Sequence, residues 1–190
     1  MMGMPLDALK TSERGCALFD TAIGPCGIAW NAQAIVAVQL PEAHPANTRA
    51  RMLRGTGPLE DAAPPPFVQA AIEGVQSVMQ GGSRDLREVP LDMTGVPEFH
   101  QRVYAIARRI APGQTRTYGE VAQELGDKGL ARAVGKALGR NPFAPIVPCH
   151  RVLAANGRPG GFSGGSGVPT KLRMLAIEGT SPNGSLALFD

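Results

Sequence analysis

At 190 residues with 43% hydrophobic and 18% charged side chains, the chain is long enough to bury a core and too apolar to be disordered. Three cysteines, Cys16, Cys26 and Cys149, fall at unrelated spacings, which argues against a disulfide framework and against a CxxC-type zinc site. The net charge of +3 is uneven: residues 1–94 carry 7 Lys+Arg and 10 Asp+Glu (−3), whereas residues 95–190 carry 12 and 6 (+6). A positive field confined to one half is the electrostatic footprint of a nucleic-acid surface, although solvated basic faces also produce it. No run of about 18 apolar residues is present, and MMGMPLDALKTSERG lacks the apolar centre of a secretory signal, so a cytoplasmic protein with no membrane contact is expected.

In chain order, CALFDTAIG and GIAWNAQAIVAVQL read as β-runs, the second broken at Asn31-Ala32-Gln33, and predict a small antiparallel sheet. A short helical segment follows near residues 47–54. A second helix opens at Pro66 with Val68, Ala71, Ile72, Val75 and Val78 on one face, and Gly81-Gly82 ends it. DLREVPLD predicts an edge strand. From Pro97 the texture becomes helical, with Phe99, Val103, Ile106 and Ile110 on a core face stopped by Ala111-Pro112-Gly113.

Thr117-Tyr118-Gly119-Glu120 has the form of a capping box, which starts the helix YGEVAQEL; GDKG then turns the chain into LARAVGKALGR, the layout of a helix-turn-helix. In that second helix Val134, Ala137 and Leu138 face a core, while Arg132, Lys136 and Arg140 share the opposite side with Gly135 and Gly139. An interior glycine costs roughly 1 kcal/mol relative to alanine, and a solvated basic face does not account for two of them. Close approach of another backbone, such as a phosphate–sugar chain, does. The fold class expected is α+β: an N-terminal α/β scaffold domain over residues 1–94, then a mostly helical domain over 95–190 with a winged-helix-like helix-turn-helix.

The chemistry concentrates in VPCHRV. Buried inert thiols are the ordinary case, and Cys16 and Cys26 are read so. Cys149 is set beside His150, one of three histidines, on an approach that Pro142, Pro145 and Pro148 are expected to hold extended. Neighbouring side chains on an extended segment diverge, so contact needs a turn or a bridging water. Downstream, a glycine-rich loop, GRPGGFSGGSG, leads into a helix with Pro169 in its first turn and Gly179 as its cap. It lacks the GxxxxGK[ST] spacing of a phosphate loop. Glu178 stands at the negative end of that helix, where an acid is disfavoured unless it has another task, such as orienting a histidine.

Together TYGEVA, RAVGKAL, NP, PCHRV, GGFSGG and EG make residues 97–179 resemble the O⁶-alkylguanine-DNA alkyltransferase family, and TAIGPCGIAW and VQLPE extend a fainter likeness over residues 17–92. The resemblance implies that Cys149 accepts the alkyl group, His150 deprotonates it through a water, Glu178 holds the imidazole and Tyr118 assists the leaving base. It further implies that Arg132 enters the duplex, with Ala131, Ala133, Gly135 and Lys136 completing the DNA contact. Asn141 would be the hinge, Pro148 would shape the pocket, Val152 and Ser163 would receive the guanine and Phe162 would form its aromatic wall. The implied activity is a single, irreversible transfer from O⁶-alkylguanine, with O⁴-alkylthymine as a second lesion. It involves duplex DNA as partner, a monomeric protein, no cofactor and no metal. Two departures stand out: Phe162 occupies a position where relatives carry tyrosine, and the stretch SGVPT before Lys171 is longer than in some relatives. The alternatives are a non-catalytic lesion binder or helix-turn-helix regulator, and a Cys-His thiol hydrolase.

Overall fold

In a computed structural model, which describes residues 12–182, three antiparallel strands lie in the order β1 (Gly15–Thr21), β2 (Gly24–Trp30) and β3 (Ile35–Gln39). The N-terminal stretch read for a secretory signal lies in part outside the described residues. The first turn is a two-residue hairpin closed by Thr21, whose Oγ1 donates to the Gly24 carbonyl at 2.7 Å. The second is capped by Asn31, whose Oδ1 accepts from the amides of Gln33 and Ala34. The strands are apolar without clean alternation because both faces are covered. Ala17, Phe19, Ile28, Trp30 and Val38 join the main core on one side, while Cys16, Ala29 and Ala37 pack with Met52 of α1 (Pro45–Thr56) on the other.

The helix read from Pro66 is α2 (Pro66–Val78), and that read from Pro97 is α3 (Glu98–Ala107). DLREVPLD does not form the edge strand expected of it. Only an isolated bridge between Ile35 and Leu91 is made, and the carbonyls of Leu86 and Val89 are taken instead by the Arg108 guanidinium at 2.8 Å.

The second half is built around β4 (Arg116–Thr117), α4 (Tyr118–Glu124), α5 (Ala131–Gly139), β5 (Val152–Leu153) and α6 (Val168–Ile177). Both arms of the capping box form at Thr117 and Glu120. The turn into the second helix is longer than GDKG implied. Asp127 caps a 3₁₀ turn over Lys128–Leu130, so α5 begins only at Ala131. Tyr104 of α3 donates its buried hydroxyl to the Ala137 carbonyl at 2.7 Å and fixes α5 against the core. One apolar cluster runs from the sheet through α2 and α3 to α5, and the Val38 amide donates across to the Pro142 carbonyl at 2.9 Å. Among the described residues no helix is long and apolar enough to cross a membrane.

Candidate active site

Three short-range devices assemble the site. The parallel pairing of β4 with β5, Arg116 with Val152 and Thr117 with Leu153, brings Tyr118 at the start of α4 beside the segment that follows Cys149. Asn141 braces the approach: its Nδ2 donates to the Val147 carbonyl at 2.8 Å and its Oδ1 accepts from the Phe143 amide at 2.9 Å. The approach is therefore curled into buried turns rather than extended as the prolines implied, because the Asn141 side chain satisfies backbone groups that an extended chain would leave apart. Cys149–Arg151 then forms a 3₁₀ turn, and α6 delivers Lys171 and Glu178 from below.

His150 is fully buried, and its Nε2 lies 2.9 Å from Oε1 of Glu178, whose side chain is 2% exposed. Arg151 shares that carboxylate through Nε and Nη2, and its Nη1 donates to the Ile110 carbonyl at 2.7 Å. Burial pushes the Glu178 carboxyl up, but hydrogen bonds from His150 and Arg151 outweigh it and bring the group to about 2, so it is ionised. An ionised carboxylate on Nε2 fixes the Nε2–H tautomer and leaves Nδ1 as the basic nitrogen. That Nδ1 is buried without a protein partner. Burial lowers the imidazole below its ordinary value against the opposing pull of Glu178, so it is neutral at neutral pH.

Burial raises the Cys149 thiol, with Asn141 and Lys171 pulling the other way. Among the described residues the Cys149 thiol makes no direct hydrogen bond to the His150 imidazole, so any proton exchange between the two side chains is relayed. The other two thiols are buried and inert, raised mainly by burial to about 11 at Cys16 and about 12 at Cys26.

Lys171 carries a role that the sequence reading missed. It is 0% exposed, with Nζ donating to the Val152 carbonyl at 2.7 Å and to the Tyr118 hydroxyl at 3.5 Å. Burial lowers its ammonium to about 8, while Cys149 opposes that shift. A signal was available: Lys171, Met174 and Leu175 share the buried face of α6, and a lysine on an apolar stripe at i, i+3, i+4 spacing is out of place there. Arg151, within PCHRV itself, was likewise not assigned. Tyr118 is kept protonated by burial first and Cys149 second. Gly160, at φ +71°, passes so close to its ring that an added Cβ would stand 2.8 Å from the hydroxyl.

Cys149, 7% exposed, lies at the floor of a cavity of about 710 Å³ that Tyr118, Ala131, Arg132, Gly135, Phe162 and Ser163 also line. Those residues of the expected set come together. Val152 and Pro148 do not reach the cavity wall: Val152 is buried in β5 with its carbonyl taken by Lys171, and Pro148 is buried ahead of the 3₁₀ turn. Asn141 lies behind the cysteine, and Ala133 and Lys136 lie outside the cavity on α5. Arg132, Lys136, Gly139 and Arg140 are exposed along one side of α5, and a Cβ at Gly139 would meet nothing within 4 Å.

The chain has known relatives. A methylated-DNA–protein-cysteine methyltransferase of Mycobacterium leprae is 35% identical over 175 residues, covering 92% of this chain and 98% of that protein. The chain belongs to the methylated-DNA–protein-cysteine methyltransferase family. The family model for the DNA-binding domain of 6-O-methylguanine DNA methyltransferase matches residues 98–180. A methyltransferase of this family from Mycolicibacterium paratuberculosis is 46% identical over 103 residues, 54% of this chain, and the match spans 61% of that relative's length. The Mycobacterium tuberculosis OGT in complex with DNA superposes with a TM-score of 0.69 at 32% identity, covering 86% of this chain and 92% of that one. A Thermus thermophilus protein named as a DNA base-flipping protein is also similar, 43% identical over 107 residues, 56% of this chain and 70% of that one. The α+β architecture matches that of the methyltransferase family's solved members.

Proposed function

We propose that the protein repairs duplex DNA by moving the alkyl group of O⁶-alkylguanine, and of O⁴-alkylthymine, onto its own Cys149, once per molecule. Residues 95–190 act as the DNA-binding and acceptor domain on an N-terminal scaffold of residues 1–94. The observation that carries this reading is the buried Cys149–His150–Glu178 set, with a free imidazole Nδ1, at the floor of a cavity that opens beside a basic, glycine-bearing helix.

A thiol at the floor of a cavity cannot reach a base stacked in a duplex, so the damaged nucleotide must be extruded, at a cost of a few kcal/mol. Arg132, on the cavity rim, fills the space left behind. The Cys149 proton passes through one water to Nδ1 of His150, and Glu178 stabilises the imidazolium that results. The thiolate then attacks the alkyl carbon in line. The carbon–sulfur bond forms as the carbon–O⁶ bond breaks, and the electron pair moves into the purine, where the Tyr118 hydroxyl donates a proton. Lys171, hydrogen-bonded behind Tyr118, offsets the charge left on the phenol oxygen. The product on the protein is a thioether, which has no carbonyl for water to attack, so the cysteine is not regenerated.

Incubation with a duplex carrying O⁶-methylguanine is expected to add one methyl group to the peptide containing Cys149, read by mass spectrometry, with product equal to protein and no further turnover. Cys149→Ala should retain DNA affinity and lose transfer. An unmodified wild-type protein would favour the second reading, a base-flipping lesion binder, for which the Thermus thermophilus relative provides the motive; the presence of Cys149 argues against it.

A further inference from the structure

Cys149 borders a second, smaller cavity of about 220 Å³ on the side facing the sheet, and five residues line both spaces: Leu138, Gly139, Cys149, Phe162 and Ser163. The partition between them, at Phe162–Gly164, belongs to the glycine-rich loop; Phe162 packs against the main core, and the small residues after it need further ties to hold them. Two side-chain hydrogen bonds supply these. Ser163 Oγ donates to the Gly139 carbonyl at 2.8 Å, at the end of α5. From α1, Arg51 donates Nη2 to the Ser163 carbonyl at 2.6 Å while forming an ion pair with Glu42, which points the guanidinium at the loop. Close packing completes the seam: a Cβ at Gly164 would stand 2.8 Å from Leu40 Cδ1, so the loop backbone lies against the Leu40 side chain just after β3.

We propose that Arg51 is a positioning residue that limits the size of adduct the lesion cavity accepts, by holding this loop as a partition between the two cavities. The inference rests on the alkyl-transfer reading above and gives the N-terminal half a task beyond support. In the intact partition a methyl group meets the sulfur with the guanine firmly seated. With the Arg51 bond removed, the Ser163 carbonyl loses its side-chain donor while the tie to Gly139, the packing of Phe162 and the contact with Leu40 remain, so the loop is held less closely, the guanine is seated less well, and the space beside Cys149 opens toward the smaller cavity. Transfer of a methyl group should then slow, while a bulky substituent gains room.

Single-turnover rates on duplexes carrying O⁶-methylguanine or O⁶-benzylguanine test this in the full chain. Arg51→Met keeps the aliphatic stem and removes the donor. It is expected to lower the methyl rate about tenfold and to shift the benzyl-to-methyl ratio about fivefold or more toward benzyl. Arg51→Lys should return the ratio to near the wild-type value. A general loss of stability would lower both rates together, so melting curves and the ratio separate the two effects. Should Arg51→Met be recovered unfolded, Arg51→Gln is read in the same way. A wild-type protein that transfers methyl, with an Arg51 variant whose ratio is unmoved, overturns the partition alone; a wild-type protein that transfers nothing overturns the underlying reading and the partition with it.

Discussion

The two ionised groups beneath the cysteine, Glu178 and Lys171, differ in how burial is offset. Glu178 has two cationic or proton-donating partners and stays charged, while Lys171 hydrogen-bonds to carbonyl and phenol oxygens with no carboxylate among them and is pulled down to about 8 by burial. A lysine whose native pKa lies below its unfolded value of 10.5 binds fewer protons folded than unfolded between those limits. Its burial cost is therefore present in full below pH 8 and disappears as pH rises to 10.5, so the wild-type fold gains stability from this group across that window. Lys171→Met lacks that gain. The stability of the variant relative to wild type should fall between pH 8 and 10.5, measured as denaturation midpoints, while alkyl transfer at neutral pH slows on the order of tenfold because Tyr118 loses its cationic neighbour. A relative stability flat across that range would show that Lys171 is not held as a buried cation. The pairing of Cys149 with His150 was legible in VPCHRV, and so was the misplaced acid at Glu178. Lys171 was legible only as an anomaly on α6, because its partners, Val152 and Tyr118, come from separate segments.

At the scale of elements, α5 carries exposed cations on one side and borders the cavity that holds Cys149. Its buried side carries Val134, Ala137 and Leu138, and its exposed side carries the cations, as the 3.6-residue period predicts. The glycines on that side have no internal reason to be glycine: a Cβ at Gly135 would make an ordinary 3.8 Å contact with the Tyr118 ring, and one at Gly139 would meet nothing within 4 Å. Gly139 is the last residue of α5, so Gly139→Ala is expected to stabilise the free protein by about 0.5 kcal/mol or less through helix propensity. The same change should weaken binding to duplex DNA, measured by fluorescence anisotropy, if the glycine exists to admit a sugar–phosphate chain. Unchanged affinity would return Gly139 to the class of neutral surface positions. Elements with strong periodicity, a cap or a polar break were readable from the chain: α2, α3, α4 and the hairpin that turns at Asn31-Ala32-Gln33. DLREVPLD was not, because its backbone groups are claimed by Arg108 at the C-terminal cap of α3, a tertiary contact that no local pattern encodes. The turns before Cys149 were missed for the same reason, since proline restricts φ but Asn141 decides where the chain curls.

For the whole molecule, the charge asymmetry of −3 against +6 places the positive field on the half that carries the cavity. Phosphate contacts release counterions, so log affinity for duplex DNA should fall linearly with log salt concentration. Removing one contacting cation, Lys136→Ala, should reduce that slope by about 0.9 with little dependence on the lesion. A slope unchanged in the variant would place Lys136 off the DNA. The main apolar cluster from sheet to α5, the Val38–Pro142 bond and the Arg51–Ser163 bond tie the acidic half to the basic one, so the loop that walls the Cys149 cavity is supported from both.

By itself the sequence determined most of the elements, the apolar faces, the basic helix and the placing of a cysteine beside a histidine, since each depends on residues near one another in the chain, where periodicity and capping act. Only the tertiary structure decided which nitrogen of His150 is free, that Arg151 and Lys171 flank the site and that Arg51 reaches the substrate loop. Those outcomes depend on burial and on partners as many as 112 positions apart, and desolvation has no value until the chain has closed around a group.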